Sequence, residues 1–307
     1  MITSIFSKSK PINFSIVFII SVLTLFIAIY KFNKVELLTR DYVFIGLSYV
    51  CCLFSILLLD FIVNKNSLSQ TAFYEVILFS FFLLTTPQVF LNYRIVLSNF
   101  LILLALRRLI SLGTQKDTNK KLFDAGFLIG LASIFHFWAI LFFPIAFIAL
   151  LFYAESEMKK WIIPMLGLIA IIIVSIAYSL IVNDSFFYAL HIDPSFSIDL
   201  SAYNSIQFIV AITMFLSFGL WSSVSYLRDI KKKKKTFRPS YKIIFIIFIV
   251  AGIIMIISPN KNGSEFLFLF SPLAIIISNY IETIEEKWFK ELFFILLIVI
   301  PFVLLLL

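Results

Sequence analysis

Apolar runs of about 17 to 22 residues recur along almost the whole chain, and this repeat restricts the fold more than any other feature. A run of that length, coiled as a helix rising ~1.5 Å per residue, matches a lipid hydrocarbon core about 30 Å thick. Composition points the same way: of 307 residues, 62% are hydrophobic, 14% are charged and 38 are Phe. No stretch is left from which a soluble domain could be built. The expectation is an all-α integral membrane protein, a single polytopic transmembrane domain over residues 1–307 with about 11 membrane segments. The net charge of +8 does not imply nucleic acid, because in a membrane protein the placement of charge matters more than its sum. Cys51 and Cys52 are adjacent in an apolar run, so they point in different directions and read as packing residues, not a disulfide or metal site.

Lys8 and Lys10 precede an apolar run over 13–30. It is too long for a signal peptide and lacks small residues for cleavage, so it reads as a first span entering from the cytoplasm. Further spans are expected at 42–63, 71–86 and 95–110. The 32-residue run from Leu122 to Tyr153 then admits two topologies. As one span it would put the lysine run 231–235 outside. As two short limbs turning near His136 to Ala139 it puts that run inside. In the second case only Lys31, Lys34, Arg40, Arg94 and Lys261 of the 25 Lys and Arg residues lie outside. The positive-inside bias selects the broken hairpin, and Pro144 gives a physical reason for a break. Later spans fall at 161–182, 205–227, 241–257, 265–281 and 288–307. The outer loops are then 31–41, 87–94, 183–204 and 258–264, and the basic inner loops 107–121 and 228–240. The N-terminus is expected on the cytoplasmic side of a bacterial inner membrane.

Zinc motifs, a Walker A loop, a dinucleotide fingerprint and Ser–His–Asp signatures are absent, and two histidines make no metal site. The informative residues are charged ones expected to face outward. Beside the five cations stand Glu36, Asp41, Asp184, Asp193, Asp199 and Glu265, with His136 and His191. Such a set suits a site at the outer membrane–water boundary, with bases to hold a lipid phosphate and a carboxylate to deprotonate an acceptor. It equally describes ordinary solvated loop charges. Arg94, after Asn92 and Tyr93 at the start of a span, runs against the positive-inside trend; a snorkelling Arg is the alternative. His136 sits among aromatics at the turn, as a packed histidine or a substrate contact. Asp60 and Glu75 lie near the inner ends of their spans, as an interfacial pair or a proton relay. Asp124 reads as a charge favourable to its helix dipole, and Lys231 to Lys235 as an anchor to anionic headgroups.

The opening MITSIFSKSKPINF and the segment LALRRLISL…KKLFDAGFLIGLASIFHFW resemble an uncharacterised family of multipass inner-membrane proteins of the Bacteroidota, over most of the chain. More distantly, the order of features is similar to that of GT-C class membrane glycosyltransferases. A basic loop leads into Ala125, Gly126, Gly130, Leu131 and Ala132, a broken hairpin follows, and Phe266 to Pro272 approach a late proline. The resemblance implies a GT-C-like helical bundle, a polyprenyl-phosphate sugar donor and an acidic residue, often a pair, in the first outer loop. This chain has Glu36 and Asp41 there instead of an adjacent pair, and its large outer loop is short.

Three functions follow. In the first, a glycosyl transferase uses Glu36 or Asp41 as catalytic base, with Tyr93, Arg94, His136, Lys261 and Glu265 binding substrate. In the second, a non-catalytic relative scaffolds an envelope-assembly or secretion complex with other membrane proteins. The third, a transporter, needs midplane polar groups that the almost wholly apolar late spans do not offer. Membrane lipids are partners in every case.

Overall fold

In the computed structural model, the residues described are 3, 6, 11–32, 38–69, 73–153, 157–184, 186 and 194–306. Glu36, Lys34, His191, Asp193, Lys8 and Lys10 lie outside them. Eleven α-helices of nine residues or more run through the described residues: α1 (Pro11–Ile27), α2 (Thr39–Lys65), α3 (Tyr74–Thr85), α4 (Tyr93–Ile110), α5 (Thr118–Phe135), α6 (Pro144–Phe152), α7 (Met158–Asn183), α8 (Ile206–Ile230), α9 (Arg238–Ile257), α10 (Leu267–Thr283) and α11 (Lys287–Leu306). Eight of these segments are long and apolar enough to cross a membrane; α3, α5 and α6 are not among them. The chain is thus an all-helical, multipass membrane protein. Expected and observed helix ends agree to within a few residues, as apolar length predicts.

The run 122–153 is broken. α5 stops where His136 turns extended (φ −143°, ψ 105°), a 3-10 segment Phe137–Phe142 follows, and Pro144 opens α6. Proline is tolerated there because the first helical turn leaves its amides unpaired in any case. Hydrogen bonds show where the two limbs lead. At the end of α6, the Tyr153 hydroxyl donates to the Ile110 carbonyl (2.9 Å) and lies 3.0 Å from Ser240 Oγ. Those residues end α4 and begin α9. The Tyr241 hydroxyl reaches the carbonyls of Ser67 and Leu68, both at 3.0 Å, just beyond α2. This is the basic end of the bundle, where the lysine run also sits. At the other end, Trp138 Nε1 donates to the Ser195 carbonyl (3.0 Å), Gln207 Nε2 to the Thr85 carbonyl (2.9 Å) and Lys31 Nζ to the Leu305 carbonyl (2.8 Å). Described cations are sparse here: Lys31, Arg40, Arg94 and Lys261. The chain therefore leaves the basic end along α5 and returns to it along α6.

Two helices form the hub. Every residue of α3 is buried, and 83% of the most apolar window of the α10 span is buried, against 22% for α7. Peripheral α7 is held by glycine contacts. A Cβ on Gly126 would lie 2.1 Å from the Pro164 carbonyl oxygen, and one on Gly167 would lie 2.3 Å from that of Phe123. A Cβ on Gly130 would stand 2.4 Å from Ile171 Cγ2. The AGxxxGLA segment thus serves backbone-to-backbone packing of α5 on α7.

Candidate functional site

The sparse end gathers the described candidate residues into two clusters. The first is built by the opening turns of α2 and α4. Asp41 fixes the start of α2: its Oδ2 accepts the Leu38 amide at 3.0 Å, one of the donors a helix start leaves unpaired. Asn92 does the same for α4, its Oδ1 accepting the Ile95 amide at 3.4 Å. With both starts pinned, Phe44 stacks on Tyr93, ring centroids 4.3 Å apart and planes 15° apart. An arginine stands at each ring. Arg40 Cζ lies 5.2 Å from the Phe44 centroid and Arg94 Cζ 6.0 Å from that of Tyr93. Arg94 Nε also donates to the Tyr93 hydroxyl at 3.4 Å. Both arginines are exposed, and neither has a carboxylate partner among the described residues. Asp41 lies one residue from Arg40 but is engaged on its own helix cap. No ion pair joins it to Arg94, and Glu36 is outside the described residues.

The second cluster lies between α8, α9 and α10. Glu265 is fully buried. It accepts from the Tyr203 hydroxyl and from the amides of Gly263 (3.1 Å) and Asn262 (3.4 Å). Burial and the neighbouring Glu265 carboxylate push the Tyr203 phenol well above its ordinary range. Gly263 has φ +85°, where a side chain is strained and would strike the Phe208 ring. Lys261 donates to the carbonyls of Ser197 and, at 2.7 Å, Ser258. Asp199 is fully exposed, and the amide and hydroxyl of Ser201 hold its carboxyl below the usual range. Asn92 Nδ2 donates to Ser264 Oγ at 3.2 Å and ties the two clusters together. His136 stands apart: its ring packs 5.5 Å from that of Phe268, and its buried Nε2 has no hydrogen-bond partner among the described residues.

Sequence reasoning counted Arg40 only among the five outward cations and missed Phe44, though their i, i+4 spacing places them on one face. It missed Tyr203 because nothing local marks it. Asp60 accepts from Asn64 at 2.9 Å, whereas Glu75 is fully buried, taking a hydrogen bond from Ser278 Oγ at 3.1 Å with its Oε1 unpartnered among the described residues. The two acids are therefore not a pair. Asp124 answers Arg108 in an ion pair of 3.0 Å more directly than it answers a dipole. No group of three or more His, Cys, Asp or Glu side chains able to hold a metal occurs among the described residues.

Fold and site together define a multipass α-helical membrane protein with an exposed arginine–aromatic stack at its charge-poor end. The chain belongs to the family of unknown function DUF6427, whose profile matches residues 1–306. No curated protein and no solved structure matches it.

Proposed function

We propose that the protein binds a polyprenyl-phosphate sugar donor at the outer face of a bacterial inner membrane and acts as a GT-C-like glycosyl transferase. The observation that carries this reading is the Arg40–Phe44–Tyr93–Arg94 stack. Two exposed guanidinium groups without a counter-ion among the described residues offer bidentate donors to a phosphate, and the aromatic pair offers an apolar rest for the first isoprene units. The orientation follows from charge: the end holding four described cations faces outward, the lysine-rich end faces the cytoplasm with the N-terminus, and all eleven helices lie in the membrane. In the transfer step, Glu36 or Asp41 takes the proton of an acceptor hydroxyl. The acceptor oxygen bonds the anomeric carbon, the carbon–oxygen bond to phosphate breaks, and polyprenyl phosphate leaves with the electron pair. His136, whose buried Nε2 has no partner among the described residues, is the candidate contact to the sugar. Lys261 and Glu265 shape the neighbouring wall.

A second reading, a non-catalytic subunit of an envelope-assembly or secretion complex, is favoured by one observation: Asp41 is engaged on its own helix cap. Incubating purified protein with a polyprenyl-phosphate hexose separates the two. Release of polyprenyl phosphate by the wild type, lost in Glu36→Gln or Asp41→Asn, supports the transferase. Donor binding without release, with another membrane protein co-purifying, supports the subunit. No donor binding at all contradicts both the site and its chemistry.

A further inference from the structure

The seam between α2 and α4 runs on past the arginine pair to the basic end. On α2, Arg40, Leu47, Phe54 and Phe61 recur every seven residues, and all four are exposed. On α4, Tyr93, Leu97, Phe100, Leu104 and Arg107 follow at helical spacing and are half-buried. Phe54 meets Phe100 at 6.5 Å between ring centroids, and Phe61 ends the row. There a second pair of cations meets an aromatic ring. Lys65 Nζ lies 5.2 Å and Arg107 Cζ 4.6 Å from the Phe61 centroid. The two are thus within about 10 Å of each other. From Phe44 to Phe61 the helix rises roughly 26 Å, close to the ~30 Å of a hydrocarbon core. The two cation-bearing ring sites therefore stand at the headgroup levels of opposite leaflets.

The neighbours at the basic end set this pair apart. Arg108 is matched by Asp124 at 3.0 Å and Lys120 by Asp117 at 3.3 Å. Lys121 donates to the Ser111 carbonyl (2.6 Å) and to Thr114 Oγ1 (2.7 Å). Asp60, the residue before Phe61, accepts from Asn64. Lys65 and Arg107 have no carboxylate partner among the described residues, and Lys65 lies within electrostatic reach of Lys121. Positive charge gathered without a counter-ion at the edge of an exposed apolar row is a repulsive arrangement that an anion relieves.

We propose that Lys65 and Arg107 bind the phosphate of an anionic phospholipid in the leaflet at the basic end, its acyl chains lying on the Phe61–Phe54–Phe100 row. This site uses different cations from the donor site and involves no transfer chemistry, so it stands whether or not the protein is a transferase. Native mass spectrometry of the detergent-solubilised protein tests it, using phosphatidylglycerol, phosphatidylcholine and inorganic phosphate as probes. The expected result is a phosphatidylglycerol preferred over phosphatidylcholine and not displaced by inorganic phosphate. Its binding weakens about tenfold in Lys65→Gln/Arg107→Gln. Arg40→Gln/Arg94→Gln retains it, and so does Lys65→Arg/Arg107→Lys, which keeps the charge should the Gln variant fail to fold. Equal binding of the two lipids overturns the proposal. So does an unchanged affinity in a folded Gln variant, or loss of binding in the charge-preserving variant. Displacement by inorganic phosphate assigns the cations to a soluble anion instead and overturns the lipid assignment.

Discussion

At the sparse end, Lys261 and Glu265 are surrounded by partners, whereas Arg40 and Arg94, across the Asn92–Ser264 bridge, have only aromatic rings and one weak bond among the described residues. The carboxylate is satisfied by two amides and a phenol, and the ammonium by two carbonyls. The guanidinium groups are exposed, and among the described residues only Arg94 of the two makes a side-chain hydrogen bond, to the Tyr93 hydroxyl. All four charges are equally conspicuous in an apolar sequence. What separates them is hydrogen-bond satisfaction: the first pair holds the α9–α10 connection in place, and the second pair is exposed without a carboxylate partner among the described residues.

The largest effect that sharpens this contrast is expected from Glu265→Ala. It leaves the Tyr203 hydroxyl only the longer Met255 carbonyl contact at 3.3 Å, takes the acceptor from the buried Gly263 amide and the part-buried Asn262 amide, and should cost about 3 kcal/mol, seen as a large drop in the thermal midpoint in detergent. Lys261→Met should cost about 1–2 kcal/mol, because it frees two carbonyls, of which the one on buried Ser258 loses its ammonium donor. High pH offers a graded version. The Tyr203 phenol has a raised folded pKa, so its contribution is fully present below the ordinary tyrosine range and is lost as pH rises beyond it. The midpoint of the wild type should therefore fall more steeply above about pH 10 than that of Tyr203→Phe. The smallest stability effect, within about 0.5 kcal/mol, is expected for Arg40→Gln and Arg94→Gln. A large loss there would break the comparison by showing that the stack is structural.

Much of the architecture was legible because apolar length and the Lys and Arg distribution are strong local signals. The break at His136 and the start of α6 at Pro144 follow from proline's missing amide and from charge placement alone. The burial of α3 was not legible: Glu75 in an apolar run looks interfacial until α10 covers it with Ser278. The site was legible in part. Arg94 and Tyr93 stood out, but their completion by Arg40 and Phe44 depends on α2 packing beside α4 across the intervening α3. Lys261 and Glu265 looked like ligand contacts because their partners, Ser197 and Tyr203, sit in a loop whose path no local rule specifies. Asp41 as a helix cap needs only the three-residue reach back to Leu38, which is legible in the sequence.

The central claim is that the open arginine pair holds a lipid phosphate. Titrating purified protein with polyprenyl phosphate and with the corresponding polyprenol tests it most directly, by native mass spectrometry of the wild type and of Arg40→Gln/Arg94→Gln. The account predicts that the wild type binds the phosphate about tenfold or more tightly than the alcohol, and that the double variant loses this preference while keeping its thermal midpoint. Equal binding of the two lipids by the wild type, or an undiminished phosphate preference in the folded double variant, would contradict it.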